Sequence, residues 1–209
     1  MLIPYKSILE KYNIRSTGVL HVGANTGQEV DDYYNNGVEQ TIWIEADASL
    51  IPSLIHNLQP YPNHKVFNDC LTDVDGEEIA FHIANNDGQS SSILELGTHA
   101  VVHPEVHYVN HTTVHTRRLD TLMTMNQLQI ADYPFINIDV QGAELLVLKG
   151  MGELLHQVQY IYLEVNDASL YKECALYPEI KQYLSTFGFV MKEKVMCGNT
   201  QWGDAFFSR

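Results

Sequence analysis

Residues 18–27 read GVLHVGANTG, an apolar run that leads into a turn with two glycines. The run favours a buried β-strand, and the residues that follow, 28–37, favour a helix that opens with acids and ends at Gly37. Gly23 can adopt a backbone conformation that other residues avoid, and the small size of Gly27 lets the helix pack closely. This stretch therefore predicts a strand–turn–helix unit.

The same alternation of short strands with helices continues along the chain. It predicts an α/β fold with an open, mostly parallel sheet and helices on both faces. Residues 189–209 contain two strand patterns around a glycine-rich turn, which predicts an antiparallel C-terminal strand pair. An Asp-Gly turn at 75–76 followed by alternating residues predicts an antiparallel hairpin.

We predict one domain over residues 1–209, with an N-terminal helical segment at 1–17. Residues 85–115 are polar and rich in turn residues. They are long for a connection in a compact domain, so we expect a functional loop there.

The charge of the chain excludes some classes of partner. It has 12 Lys and Arg against 26 Asp and Glu, a formal net charge of −14. Such a surface repels phosphate backbones, which argues against a nucleic-acid or anionic-membrane binder. No run approaches the roughly 18 apolar residues of a membrane span, and the charged N-terminus does not resemble a signal peptide.

The chain has three cysteines, Cys70, Cys174 and Cys197, which lie far apart in the sequence. An odd number without close pairs argues against a disulfide framework or a zinc site. We therefore expect reduced thiols and a cytoplasmic location.

Four predicted strands end in an acid: Glu45, Asp69, Asp139 and Glu164. The carboxyl ends of the strands in an open α/β sheet form the edge where ligands bind. Unpaired carboxylates are costly at a half-buried edge, so we expect a partner there: a cation, a set of hydroxyl donors or a metal.

The glycine turn narrows the choice of ligand. A dinucleotide-binding turn needs a second glycine where this chain has Asn25, and a phosphate-binding loop with Gly-Lys before Ser or Thr is absent from the sequence. Glu45 follows Gly27 by 18 residues, at the end of the next predicted strand, where an acid accepts hydrogen bonds from ribose hydroxyls. An acidic side chain placed to bind ribose, next to a turn that does not suit phosphate, points to S-adenosylmethionine.

Three motifs carry a resemblance to a known family. VGANTG at 22–27, IDVQGAEL at 138–145 and YLEV at 162–165 resemble the FkbM-type S-adenosylmethionine-dependent methyltransferases. WIEA at 43–46 and WGDA at 202–205 look like a branch of that family, and the resemblance covers about residues 18 to 209. It implies a class I methyltransferase fold, which is Rossmann-like, and methyl transfer to a hydroxyl oxygen of a sugar or polyketide.

The chain departs from the family pattern at two positions. His21 stands where many members have Asp, which removes a carboxylate from the cofactor side. Gln141 stands where the family usually has Glu, and an amide can form hydrogen bonds but cannot act as a base.

The predicted cofactor site follows from these motifs. Asn68 is an alternative to its neighbours for contact with the adenine, and a simple strand–helix turn is the alternative to methionine binding at Gly23. The residues that we predict to bind the cofactor are His21, Gly23, Ala24, Asn25, Gly27, Glu45, Ala46, Asp69, Cys70 and Asp139.

The predicted catalytic residues are Asp139, Glu164 and His99. Asp139 could attract the sulfonium, orient the acceptor or take its proton, and Glu164 and His99 are the second and third candidates for the base. Glu144 either joins this set or only balances a helix dipole. His99 belongs to a series of histidines spaced every four residues from 99 to 115, but Pro104 argues against a single helix.

We predict that the acceptor contacts a separate set of residues. The serines at 90–92 either cap a following helix or reach the acceptor. Trp202, expected in the turn before the last strand, either stacks on a sugar ring or covers the core. The predicted substrate-binding residues are Ser91, Ser92, Asn166, Trp202 and Asp204.

Two alternatives to this O-methyltransferase remain open. In one, Asp139 and Glu164 hold Mg²⁺, which activates the acceptor oxygen, and activity that survives EDTA would exclude it. In the other, the chain is a non-catalytic binding module, a reading that predicts loss of the strand-end acids, although all four are present.

Overall fold

A computed structural model describes residues 1–198 and 200–209. The strands in this part of the chain are β1 Gly18–Val22, β2 Gln40–Glu45, β3 His64–Asn68, β4 Cys70–Leu71, β5 Glu78–Ala84, β6 Tyr108–Arg117, β7 Phe135–Ile138, β8 Tyr160–Asn166, β9 Val190–Met196 and β10 Trp202–Ser208. The helices are α1 Tyr5–Tyr12, α2 Val30–Asn35, α3 Ile51–Leu58, α4 His99–Val102, α5 Leu119–Met125, α6 Glu144–Met151 and α7 Tyr177–Thr186.

The large sheet has seven strands in the order β3-β2-β1-β7-β8-β10-β9. Neighbours from β3 to β8 run parallel, whereas β10 is antiparallel to both β8 and β9. This confirms the mostly parallel sheet and the antiparallel C-terminal pair. The turn between β9 and β10 includes residue 199, which lies outside the described residues. The connection that follows β1 leads to β2 on one side of β1, whereas β7 is its neighbour on the other side. This change of direction opens a crevice at the carboxyl ends of these strands.

Helices cover both faces of the large sheet, as predicted. On one face α1, α2 and α3 pack through residues such as Tyr5, Tyr33 and Leu54. On the other face α5, α6 and α7 pack through residues such as Leu122 and Leu148. Strands between two layers of helices are buried on both sides, which explains their nearly continuous apolar sequences.

The hairpin predicted after the Asp-Gly turn is wrong. Strand β5 does pair in an antiparallel way, but with β6, where Phe81 lies opposite Thr112. Strand β4 pairs in parallel with the same strand, where Cys70 lies opposite Thr116. With two residues β4 is too short for a stable hairpin, and the ten residues of β6 supply a longer ladder.

The predicted loop at 85–115 is shorter than expected, because residues 108–115 belong to β6. The connection is therefore 85–107, with α4 inside it. No helix directly follows the serines at 90–92, so their predicted capping role is wrong. The regularly spaced histidines are divided between α4, the loop and β6, as Pro104 indicated. Trp202 and Asp204 lie within β10 rather than in the turn before it.

Two glycines of the first turn have the roles predicted for them. Gly23 has a φ of 81°, and a Cβ atom there would lie 1.7 Å from the carbonyl oxygen of Asp139. Gly27 has a φ of 78°, and its Cβ would lie 2.9 Å from the Cδ1 atom of Leu54 on α3. The turn after β1 thus touches both the loop after β7 and a helix of one face.

We expect Gly23→Ala to destabilise the protein far more than Gly76→Ala. The two glycines have φ values of 81° and 78°, so each alanine carries the strain of left-handed backbone, about 1–2 kcal/mol. Only Gly23 faces a backbone oxygen, since the space around Gly76 is open to 4 Å. Urea unfolding of both variants measures the difference, and equal losses would contradict the close approach at Gly23.

Candidate active site

One cavity of about 600 Å³ lies at the carboxyl edge of the large sheet. This volume is within the usual range for small-molecule and cofactor sites. Its walls come from the turns after β1, β2, β3 and β7, from the loop 85–107 and from the first residues of β10. The strand order places the strand-end acids in a row along this edge.

Most of the predicted site residues line this cavity. Four do not: Ala24, Gly27, Ser92 and Asn166. Gly27 faces α3, the hydroxyl of Ser92 donates to the carbonyl of Gln141, and Asn166 is fully buried. The residues that do line it are His21, Gly23, Asn25, Glu45, Ala46, Asp69, Cys70, Ser91, His99, Asp139, Glu164, Trp202 and Asp204.

The backbone N–H groups of the first turn are already used within the protein. Those of Gly23 and Ala24 donate to the carbonyl of Ile44, and that of Gly27 donates to the carbonyl of Ala24. That of Thr26 donates to the side chain of its neighbour, Asn25. A phosphate-binding loop points such groups at its ligand, so this turn is not of that type.

Glu45 fixes the turn and still presents a carboxylate to the cavity. Its Oε2 accepts the N–H of Asn25 at 2.7 Å, and its Oε1 accepts the N–H of Asp47 at 2.7 Å. Each oxygen keeps a further lone pair for a ligand hydroxyl. Burial raises the pKa of Glu45 above its usual value, although the backbone hydrogen bonds oppose this shift.

His21 stands where a carboxylate was expected, and it belongs to a cluster of buried polar side chains. Its ring stacks on Trp43, with centroids 5.0 Å apart, and its Nδ1 lies 3.1 Å from the hydroxyl of Tyr33. The amide of Asn137 also donates to that hydroxyl. Burial lowers the pKa of His21 to about 4, so the imidazole is uncharged at neutral pH.

Three consecutive residues at the end of β3 and the start of β4 have different roles. Asn68 donates to the backbone carbonyls of Glu45 and Ala46, and it does not line the cavity. Asp69 lines the cavity and also accepts the Nε–H of Arg117 at 2.6 Å. Burial raises the pKa of the Cys70 thiol to about 12, so this cysteine stays protonated.

Asp139 and Glu164 are joined by one side chain. The Nε2 atom of Gln141 donates to Asp139 Oδ1 at 2.6 Å and to Glu164 Oε2 at 2.9 Å. An amide group has two N–H donors, so it can satisfy both carboxyl groups at once. Desolvation in the cavity raises the pKa of Asp139 to about 6, although more than a third of the residue remains exposed there. Burial, followed by the charge of Asp139, raises the pKa of Glu164 further above its usual value.

Gln141 is itself held by two hydroxyl groups. The hydroxyl of Tyr171 donates to its Oε1 at 2.6 Å, and the hydroxyl of Ser92 donates to its backbone carbonyl at 2.8 Å. These bonds fix the orientation of the amide, because a flipped amide would place its oxygen against two carboxyl groups. The sequence showed Gln141 as a departure from the family, but it did not show that it bridges the two acids.

Glu144 has a structural role. It is fully buried, and its Oε1 accepts the N–H groups of Val140 and Gly142 at 3.2 and 3.0 Å. These bonds shape the loop that carries Gln141. Burial raises the pKa of Glu144 to about 7.

The loop 85–107 forms another wall of the cavity, and it meets the first turn where the side chain of Asn25 donates to the carbonyl of Asp87 at 3.0 Å. His99 lies in this wall with 6% exposure, and its Nδ1 has no hydrogen-bond partner among the described residues. Burial, followed by the charge of His103, lowers the pKa of His99. Ser91 also lines the cavity, while its Oγ accepts the N–H of Ala84 at 3.1 Å.

The N-terminal residues close another part of the wall. Met1 and Leu2 line the cavity, and Asp204 accepts hydrogen bonds from the N–H of Leu2 and from the hydroxyl of Tyr162. Both bonds reach the same oxygen, Oδ2, so Oδ1 of Asp204 remains available for a ligand. The N–H of Ile3 donates to the hydroxyl of Tyr162 as well.

No group of three metal-ligating side chains is arranged to hold an ion within residues 1–198 and 200–209. The amide of Gln141 already bridges the two acids that the magnesium alternative requires. In the same part of the chain, the helices are all too short or too polar to span a bilayer.

The methyltransferase FkbM domain model matches residues 21–191, which is most of the chain. The chain belongs to the FkbM methyltransferase family. Among curated proteins, it is similar to the 2-O-methyltransferase NoeI of Sinorhizobium fredii, with 30% identity over 161 residues. That match covers 74% of this chain and 65% of NoeI, so the chain spans less than two thirds of that relative.

Solved structures show the fold of this FkbM domain. Magnesium protoporphyrin IX methyltransferase from Synechocystis PCC 6803, solved with bound SAM, is 8% identical with a TM-score of 0.55, over 97% of this chain and 74% of that one. A SAM-dependent methyltransferase from Aquifex aeolicus is 13% identical with a TM-score of 0.53, over 99% of this chain and 89% of that one. The domain therefore has the class I methyltransferase fold, as the resemblance implied.

We expect the FkbM domain to lose stability as pH rises from 6.5 to 8. An acid whose pKa is raised by folding binds its proton more tightly in the folded protein, so its stabilisation is lost as pH rises through the folded value. Glu144 loses its stabilisation as pH rises through its pKa of about 7, and the raised pKa of Glu164 adds a decline in the same direction. His21 and His99 have lowered pKa values, so their opposing effect fades as pH rises past the unfolded-state value of about 6.5.

Urea unfolding across this pH range measures the effect. Glu164→Gln should flatten the decline, because the amide keeps the size of the side chain and removes its titration. Glu153→Gln is the matched control, since the Glu153 side chain is 94% exposed. If the parent and Glu164→Gln decline equally, Glu164 is not the source of the effect.

Proposed function

We propose that this chain transfers a methyl group from S-adenosylmethionine to a hydroxyl oxygen of a sugar, a glycan or a similar hydroxylated small molecule. Membership of the FkbM family and the similarity to a 2-O-methyltransferase support the reaction class. The observation that carries the proposal is the bridged pair of acids in the wall of the cavity, Asp139, which is exposed there, and the buried Glu164.

The cofactor would bind over the ends of β1, β2 and β3. Glu45 has two oxygens with free lone pairs for the ribose hydroxyls. Asp69 and Cys70 would lie beside the adenine, and Gly23 and Asn25 beside the methionine part. His21 and Ala46 would complete this side, while Ala24 and Gly27 would act through the shape of the turn.

S-adenosylmethionine, when bound, supplies an electrophilic methyl group on a positively charged sulfur. Asp139 is the base in this proposal: its Oδ1 accepts from Gln141, so Oδ2 is the atom that takes the proton of the acceptor hydroxyl. Glu164, whose pKa burial raises above its usual value, orients the same hydroxyl. A positioned base contributes roughly 10²–10⁴-fold, and alignment of the reactants contributes further.

The acceptor would enter between the loop 85–107 and β10. Ser91, His99, Trp202 and Asp204 line this side and offer hydrogen-bonding groups and an aromatic face. The net charge of −14 disfavours a nucleic-acid acceptor. The three free cysteines are consistent with the predicted cytoplasmic location, which stays a prediction.

We expect Glu45→Ala to weaken the binding of S-adenosylmethionine at least tenfold. Hydrogen bonds to a charged group contribute about 1.5–3 kcal/mol each, and the alanine removes those to the ribose. Calorimetry measures the affinity, with the exposed Glu39→Ala as a control and thermal unfolding as a check that the turn survives. Unchanged affinity would rule out Glu45 as the residue that binds the ribose hydroxyls.

We expect Asp139→Asn to lower turnover at least about 10²-fold while the protein stays folded, because the amide fits the same space but cannot take a proton. The pH–rate profile of the parent should rise with a midpoint near the Asp139 pKa of about 6, and the variant should lose this rise. Glu164→Gln and His99→Ala are the companion tests. Near-parent turnover in all three would show that alignment, not a base, drives catalysis.

A further inference from the structure

The cavity wall carries six acids, and the α-amino group of Met1, which lies 3.7 Å from Glu29, balances one of them. No lysine or arginine is present among the lining residues within 1–198 and 200–209. Sites that hold phosphate or carboxylate groups usually rely on arginine or lysine. The acids that line the cavity are Glu29, Glu45, Asp69, Asp139, Glu164 and Asp204.

The nearby basic side chains are engaged elsewhere. Arg117 donates to Asp69 at 2.6 Å, so its charge neutralises an acid of the wall. Lys172, which follows Tyr171, lies 3.6 Å from Glu95 and does not line the cavity. A ligand in the cavity would therefore find unbalanced negative charge.

The backbone offers no substitute for a basic side chain at the two obvious places. The N–H groups of residues 23–27 in the first turn are used internally. At the start of α6, the N–H groups of Val140 and Gly142 donate to Glu144. The position where a helix could attract an anion is already filled by a carboxyl group of the chain.

The acceptor side of the cavity suits uncharged groups. The imidazole of His99 lacks a partner at Nδ1, although it is more than nine-tenths buried. Buried polar atoms are normally hydrogen-bonded, so a hydroxyl group of a ligand would complete its bonding. Phe81, Tyr171 and Trp202 add aromatic surface to the same cavity.

We infer that the acceptor carries no net negative charge: the site takes uncharged or amino-bearing hydroxylated molecules and rejects phosphorylated or nucleotide-linked forms of them. The inference rests on the proposed function for the site, and it defines the chemical class of the acceptor. The reason is electrostatic, because an anion would meet like charges in a cavity whose wall carries six acids.

Ligand-observed NMR on the complex with S-adenosylhomocysteine tests the inference. The probes are hexoses offered in three forms that differ in charge: the free sugar, the 2-amino sugar and the 6-phosphate. We expect the free and amino forms to bind and the phosphates to bind at least about tenfold more weakly. Equal or tighter binding of the phosphates, or no binding of any free or amino sugar, would overturn the inference.

A variant shows whether charge is the cause. Val106 lines the cavity from the loop 85–107 and is half-buried, so Val106→Lys adds a positive charge with little risk to the fold. It should raise the affinity for the phosphates at least about tenfold, whereas the uncharged control Val106→Gln should not. If Val106→Lys leaves phosphate binding unchanged, electrostatic rejection is refuted.

Methyl transfer from S-adenosylmethionine is measured separately on the same sugars. Binding of uncharged sugars without any transfer counts against the proposed function and supports the inference about charge. Transfer to a phosphorylated or nucleotide-linked sugar in preference to its uncharged form supports the function and overturns the inference.

Discussion

The candidate active site depends on holding two carboxyl groups close to each other. Asp139 directly follows β7 and Glu164 lies on the neighbouring strand β8. Desolvation raises the pKa of both, and the charge of Asp139 raises that of Glu164 further. A single amide, Gln141, donates to both and compensates part of that cost. Its position depends in turn on Tyr171 and Ser92, so the geometry of the acids is set by segments far apart in the sequence.

The alternation of strands with helices and the row of acids were predictable because they rest on local signals. An apolar run that ends in an acid marks the carboxyl end of a strand, and parallel pairing brings those ends to one edge. Glu45, Asp69, Asp139 and Glu164 all line the cavity for this reason. The glycine turn was predictable as well, because Gly23 meets a requirement of its own backbone.

The errors arose where a residue's partner lies far away in the sequence. An Asp-Gly turn is a local feature, but the strand that pairs with β5 is β6, which no local pattern identifies. The hydroxyl of Ser92 binds the loop of Gln141 instead of capping a helix or reaching the acceptor. Asn166 follows the motif of Glu164 closely, yet its side chain is fully buried away from the cavity.

The anchoring of Leu2 by Asp204 has a practical consequence for handling the protein. Any residues placed ahead of Met1 have to leave the molecule beside the cavity, because Met1 and Leu2 form part of its wall. Strand β10 starts at the cavity and runs towards the opposite edge of the sheet, where it ends at Ser208. An affinity tag or a fluorescent label is therefore better attached after Arg209, at a distance from the ligands whose binding it would report.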